Sequence, residues 1–173
     1  TLSGTQAQIN AALAAIGYQP NSNYNGADTL TVLSTDALGG TDSDTVAITV
    51  AGINDAPVVS NLEGDSLNYN EGAGAVVIEQ GGNAAVSDVD SADFNTGTLT
   101  ISFVAGSDSA EDVLGIRNQG TGAGQIGISA ANANVTYGGV VIGTRSGGVT
   151  GTNLVITFNA SATPAAVAAL AQN

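Results

Sequence analysis

Short apolar runs in strict alternation, each stopped by glycine, are what most limit how this chain can fold. In Leu30-Thr31-Val32 and Val46-Ala47-Ile48-Thr49-Val50 every second residue is large and apolar, the period of a strand with one covered face. Ala37-Leu38-Gly39-Gly40 lies between them as a turn, so the pair predicts a β-hairpin. Further strands are predicted at Pro57 to Ser60, Ala75 to Ile78, Thr98 to Phe103, Val113 to Ile116, Gly124 to Ser129, Asn134 to Tyr137, Val140 to Ile142 and Asn153 to Phe158. Leu99, Ile101 and Phe103 fall on one face, as do Leu154, Ile156 and Phe158, which is what a two-layer β-sandwich requires. The 24 glycines gather between these runs and mark turns. Gly120 to Gly124 and Gly147 to Gly151 contain no G-K-[ST] and open no helix, which argues against a phosphate cradle.

Two segments break the strand pattern, and they resemble each other. Thr5 to Ile16 (TQAQINAALAAI) is echoed by Thr163 to Asn173 (TPAAVAALAQN), with Ile9 aligned on Val167 and Ala12 on Leu170. Thr5 with Gln8 forms a partial capping box, and Thr163 followed by Pro164 places cap and first helical residue where their backbone chemistry fits. Ile9, Leu13 and Ile16 make a narrow stripe, and helices this short need a docking surface, so each is expected to pack on its own domain. Self-similarity at this spacing reads as a window on a tandem array.

The formal charge is -13, from 15 acids against Arg117 and Arg145 alone. Such a surface repels nucleic acid and anionic lipid and favours divalent cations. With neither Cys nor His there is no disulfide, no thiolate and no imidazole base or metal ligand. No apolar run is long enough to span a membrane.

Gly52-Ile53-Asn54-Asp55-Ala56-Pro57 interrupts the strands as a short linker, stiffened at Pro57. Around it the acids gather: Asn54, Asp55, Glu71, Asp88, Asp90 and Asp93. Calcium takes six to eight hard oxygens, and in extended chain Asp88 and Asp90 project to the same side, with Val89 opposite. Two like charges so placed are unfavourable unless a cation lies between them, so the reading is a Ca2+ site. The plainer reading of this D-x-D is a solvated loop.

The run Ile53-Asn54-Asp55-Ala56-Pro57-Val58 resembles the linker between cadherin-like repeats of large bacterial RTX-type surface adhesins. So do Tyr18-Gln19-Pro20, Tyr24 to Val32, Asp36 with Gly39-Gly40, and Asp44 to Val50, in the order of a repeat's closing half. Val86 to Asp93 followed by Gly97-Thr98-Leu99-Thr100-Ile101 is similar to the opening half of the next repeat, and Gly139 to Phe158 to a long variant of it. The resemblance implies all-β, cadherin-like or Ig-like Greek-key sandwiches with one short helix per repeat. It divides the chain into a closing segment at 1–52, a calcium-binding linker at 53–57, and a repeat at 58–173 lacking its closing strands. By the same analogy Asn54 and Asp55 are linker ligands, Asp88 and Asp90 come from the following domain, and Glu71 serves the next junction. The acidic segment that true cadherins carry before the linker has no clear counterpart, which brings in Asp28 or Asp36 as substitutes. The implied function is a calcium-rigidified extender or self-assembling scaffold, extracellular or on the bacterial surface, with neighbouring repeats as partners. Head-to-tail strand complementation is a variant of it.

Other readings compete. Asp42 and Asp44 suit Asx turns before a strand, and Asp108, Glu111 and Asp112 suit a charged loop that blocks edge pairing. Arg117 and Arg145 suit local carboxylate pairs. Tyr18, Tyr24, Tyr69 and Tyr137 suit partly buried sandwich positions or a sugar-stacking surface. A calcium-dependent carbohydrate-binding module would use the insertion around Gly139 to Thr152. A hydrolase needs two carboxylates across a cleft in different environments, whereas Asp88 with Asp90, or Asp108 with Asp112, are neighbours on loops. The chain therefore reads as a non-enzyme.

Overall fold

The computed structural model describes residues 2–106, 108, 111–129 and 133–173; residue 1, the first of the expected 1–52 segment, lies outside them. The chain divides into two compact units, Thr1–Asn54 and Asp55–Asn173. Its regular structure is dominated by strands, an all-β fold with two short helices.

In unit 1, α1 (Gln6–Leu13) is followed by the hairpin of β1 (Gly26–Thr35) and β2 (Thr41–Val50). The predicted capping box is complete: Thr5 accepts the Gln8 N–H while the Gln8 side chain accepts the Thr5 N–H at 2.9 Å. The strands pair in continuous register from Gly26 opposite Val50 to Thr35 opposite Thr41. Their turn is held by Asp36, whose Oδ1 accepts the N–H of Leu38 (2.9 Å) and of Gly40 (2.7 Å). Asp42 and Asp44, suited by sequence to a turn, lie inside β2, because this tight closure lets the ladder begin at Thr41. The expected docking of α1 is not met. No residue of the helix is buried, and Leu13 and Ile16 are 40% and 53% exposed. One helix and one hairpin supply no second layer to cover them.

Unit 2 contains the core. A five-stranded antiparallel sheet runs in the order β5 (Thr98–Ile101), β9 (Leu154–Phe158), β8 (Val140–Gly147), β7 (Asn134–Tyr137), β6 (Ile126–Ile128). The last four are consecutive in the chain, and β5 lies beside β9 through the long 102–125 connection, a Greek-key return. Beside it β3 (Val58–Ser60) pairs with β4 (Ala85–Ser87). Leu154, Ile156 and Phe158 form one buried row of β9, as their alternation predicts, and join Ile126, Val135 and Ile142. Their cover comes from Val86 of β4, from Leu114, and from α2 (Pro164–Ala171), which buries Ala166, Val167 and Leu170. Here the expected docking is met, and the Gln172 amide adds a bond to the Ala84 carbonyl at 2.7 Å.

Some predicted strands are absent. Ala75 to Ile78 makes no ladder, and at Val113 to Ile116 the Leu114 N–H donates to the Gly148 carbonyl without a strand forming. β5 ends at Ile101, leaving Phe103 beyond it and 38% exposed. Apolar alternation marks chain that can extend, but a strand also needs a neighbour with free backbone groups.

Candidate functional site

The linker and D-x-D segment meet within unit 2, in a geometry different from the expected one. β4 stops at Ser87 and the chain bends at Val89 and Asp90. Asp88 Oδ1 accepts the N–H of Asp90 and of Ser91, both at 3.2 Å, so Asp88 closes an Asx-type turn rather than standing parallel to Asp90 on extended chain. Asp90 in turn accepts the N–H of Asp55 on its Oδ2 at 3.0 Å. The Asp88 carboxyl is held below its ordinary value, first through a side-chain hydrogen bond with Asp90. Partial loss of water opposes this, and the N–H groups of Asp90 and Ser91 add to it.

Asp55 is thus linked to Asp90, 35 residues further along the chain, and Asp90 to Asp88, by backbone and side-chain hydrogen bonds. Within unit 2, Asp93 and Glu71 lie in turns of their own. Asp93 accepts the Asn95 N–H at 2.9 Å in its own turn. Glu71 is exposed in a turn closed by the Ala73 N–H on the Asn70 carbonyl. In unit 1, Asp28 accepts the Thr29 N–H (2.8 Å) and the Tyr18 hydroxyl (3.0 Å), while Asp36 holds the hairpin turn. These two acids lie near opposite ends of β1, about 25 Å apart along the strand, so one ion cannot reach both. Asn54 is exposed at the end of unit 1. Among the described residues no three acidic side chains converge as a ready-made metal cage.

The Tyr18 hydroxyl is pushed up, by partial loss of water first and by Asp28 next. Tyr18, Tyr24 and Asp28 line a shallow cleft of about 370 Å³, but the Tyr24 hydroxyl donates to the Ala27 carbonyl at 2.8 Å. Both phenols therefore have partners within the unit. Arg117 finds the side chain of Asn173 at 3.4 Å instead of the expected carboxylate. The Asp112 carboxylate accepts the Asp108 N–H at 2.7 Å, a local loop closure.

The acid that sequence reading missed is Glu79, only 5% exposed. Its carboxylate accepts the N–H groups of Gly82, Asn83 (2.9 Å) and Ala84 (3.2 Å), just before β4. The available signal was an acid ending the apolar run Ala75 to Ile78 and followed by Gly81-Gly82-Asn83, a loop whose N–H groups need an acceptor. Its carboxyl is held below the ordinary value, by the Asn83 N–H first, against partial loss of water, with Gly82, Ala84 and Gly81 adding to it. A lowered folded-state value stabilises above the unfolded carboxylate range and is lost as pH falls through the folded value. Glu79→Gln is therefore expected to lower the midpoint of thermal unfolding by several degrees at neutral pH. Its stability should also fall less steeply than the wild type between about pH 5 and pH 3. Equal slopes for the two proteins would remove the assignment.

No helix among the described residues is long and apolar enough to cross a membrane. Comparison with curated proteins and with solved structures finds no significant match. Residues 1–49 match the family model described as bacterial Ig domain, a match confined to the helix and hairpin of unit 1.

Proposed function

We propose that this chain is a structural segment of a bacterial extracellular array of Ig-like sandwiches, acting as an extender or self-assembling scaffold whose linker is stiffened by calcium. The observation that carries the reading is the recurrence of one element in two settings. The helix that opens the bacterial Ig-domain match returns in unit 2 with the same threonine cap: φ and ψ are -67° and 157° at Thr5, -66° and 159° at Thr163. Catalysis finds no support in the acid pairs, in which Asp88, Asp90 and Asp112 each accept backbone N–H groups in local turns and closures. Carbohydrate binding finds little, since β8 and the turn after it, the proposed insertion, carry no aromatic residue.

The cation belongs at the Asp55, Asp88 and Asp90 cluster. The adjoining Asp88 and Asp90 carboxylates fit two ligands of a hard ion, and Asp55 is tied beside them through its backbone N–H. Backbone carbonyls and water would complete the six to eight that calcium takes. The RTX-type, cadherin-like subtype is part of this proposal, as is display on the cell surface.

Calcium titration calorimetry tests it directly. Binding is expected in the wild type and weaker by about tenfold in Asp90→Asn, the factor that about 1.4 kcal/mol of lost attraction represents. Chelation should raise protease cutting between Asn54 and Pro57 and broaden the small-angle scattering envelope. No heat of binding, together with unchanged cutting and scattering, would discard the calcium-stiffened linker.

A further inference from the structure

Unit 1 holds the acids Asp28, Asp36, Asp42 and Asp44 and no basic side chain, and its aromatic residues are Tyr18 and Tyr24 alone. Both aromatics and one of the acids, Asp28, line the same cleft of about 370 Å³, with Gln19, Pro20 and Asn21 beside them. The chain builds this cleft locally. After Pro20 a turn passes through Asn23, whose φ of +63° is one that asparagine tolerates, and closes with the Tyr24 N–H on the Asn21 carbonyl at 3.2 Å. Each phenol is then tethered by its hydroxyl, Tyr18 to Asp28 Oδ2 at 3.0 Å and Tyr24 to the Ala27 carbonyl at 2.8 Å. Tyr18 and Tyr24 stay 44% and 40% exposed, so their hydroxyls are fixed while ring surface remains within reach of a ligand.

The lining decides what fits. Asp28 repels anions, and no basic residue of the unit offsets it. A carboxylate offers about four acceptor positions; Asp28 gives one to the Tyr18 hydroxyl and one to the Thr29 N–H, so about two remain. The side-chain carbonyls of Gln19 and Asn21 add further acceptors. A primary ammonium group answers all of these: it pairs with the carboxylate, donates its N–H groups to the acceptors, and is attracted to the face of an aromatic ring. A quaternary ammonium has no N–H to donate. Calcium takes six to eight oxygens and would find one carboxylate here. A neutral sugar would leave the charge of Asp28 unanswered.

We propose that the cleft of Tyr18, Tyr24 and Asp28 binds a primary alkylammonium group, the head of a lysine side chain or of a free aliphatic amine. Binding is weak, because the cleft is open and each exposed contact between a cation and a ring adds only a few-fold. It loosens as monovalent salt screens Asp28. The site lies wholly in unit 1, needs no calcium and is independent of the linker.

The ring NMR signals of the tyrosines in the full chain read the site, with Tyr69 and Tyr137 of unit 2 as internal references and chelator present throughout. Two probes are titrated, N-acetyl-lysine methylamide and n-butylammonium chloride. The Tyr18 and Tyr24 signals should shift and saturate in the millimolar range while the references stay, and the tighter probe tells a peptide lysine from a free amine. Asp28→Asn should weaken binding about tenfold, and Tyr24→Leu about two- to fivefold. Asp44→Asn is the charge control: it lies opposite Val32, about 13 Å along the strand from Asp28, and should change little. Backbone amide signals of the β1–β2 ladder check that each variant keeps the hairpin. Four results overturn the proposal: no saturable shift with either probe, an equal loss in Asp44→Asn, tighter binding of tetramethylammonium, or equal binding of methyl glucoside, which would assign the cleft to a neutral sugar. Because chelator is present, these results are separate from those of the calcium titration.

Discussion

Ile156→Ala is expected to destabilise unit 2 by about 2–5 kcal/mol, the range for deleting a large aliphatic side chain from a closed core. Ile156 is fully buried at the centre of β9, the strand that joins β5 to β8, with Leu99 opposite it on one side and Arg145 on the other. Its neighbours Ile126, Ile142 and Val135 are as deeply enclosed, so the vacated volume cannot be refilled by a side chain swinging in from solvent. A domain of this size has a total stability of roughly 5–15 kcal/mol, so the loss is a large part of it. Ile156→Val removes one methylene and should cost about 0.5–1.5 kcal/mol. Urea denaturation followed by circular dichroism reads both. A change below about 0.5 kcal/mol for Ile156→Ala, the level of a surface substitution, would mean that the five-stranded sheet is not sealed by α2 and β4.

That core was legible because it is periodic. Leu154, Ile156 and Phe158 alternate without interruption, and Thr163-Pro164 announces α2 by cap chemistry that needs only local residues. The hairpin was equally plain, because alternation runs through both strands with a short turn between them, although the ladder extends past those runs, from Gly26 opposite Val50 to Thr35 opposite Thr41. What could not be read were choices made by the rest of the molecule. Ala75 to Ile78 has a strand's composition and no partner, while Ala85 to Ser87, too short to announce itself, becomes β4 because α2 and β3 flank it. Leu13 and Ile16 carry a docking stripe whose surface is not within unit 1.

The acids divide in the same way. Sequence gathered Asn54, Asp55, Glu71, Asp88, Asp90 and Asp93 into one constellation, and hydrogen bonds link Asp55, Asp90 and Asp88 on a different backbone, because an aspartate that accepts N–H groups two and three residues ahead bends the chain that alternation would keep straight. Glu79 escaped notice because its partners are three backbone amides, whose only sequence trace is the Gly81-Gly82-Asn83 loop that follows it.

Gly148 is where the irregular segments of unit 2 are tied to its sheet, and Gly148→Ala is the second substitution with a large expected effect. The residue is buried just past β8, with φ at +79°, in the left-handed region that a side chain makes unfavourable by about 1–2 kcal/mol. Its carbonyl accepts the Leu114 N–H at 2.8 Å and its N–H donates to the Asn153 carbonyl at 3.0 Å, so one residue joins the core-covering Leu114 segment to the approach of β9. A Cβ there would run into the Leu114 carbonyl oxygen, which is backbone and cannot swing aside, and would also press the Leu154 side chain at 3.3 Å. Relief requires Leu114 to leave the core, so the loss should exceed the backbone term alone and reach about 3 kcal/mol or more. Gly72→Ala is the matched control: its φ is also +79°, but nothing lies within 4 Å of the added atom, and only about 1 kcal/mol is expected. The two unfolding midpoints, measured side by side, separate steric exclusion from backbone preference. Equal losses would mean that Leu114 is not held where the Gly148 hydrogen bond puts it.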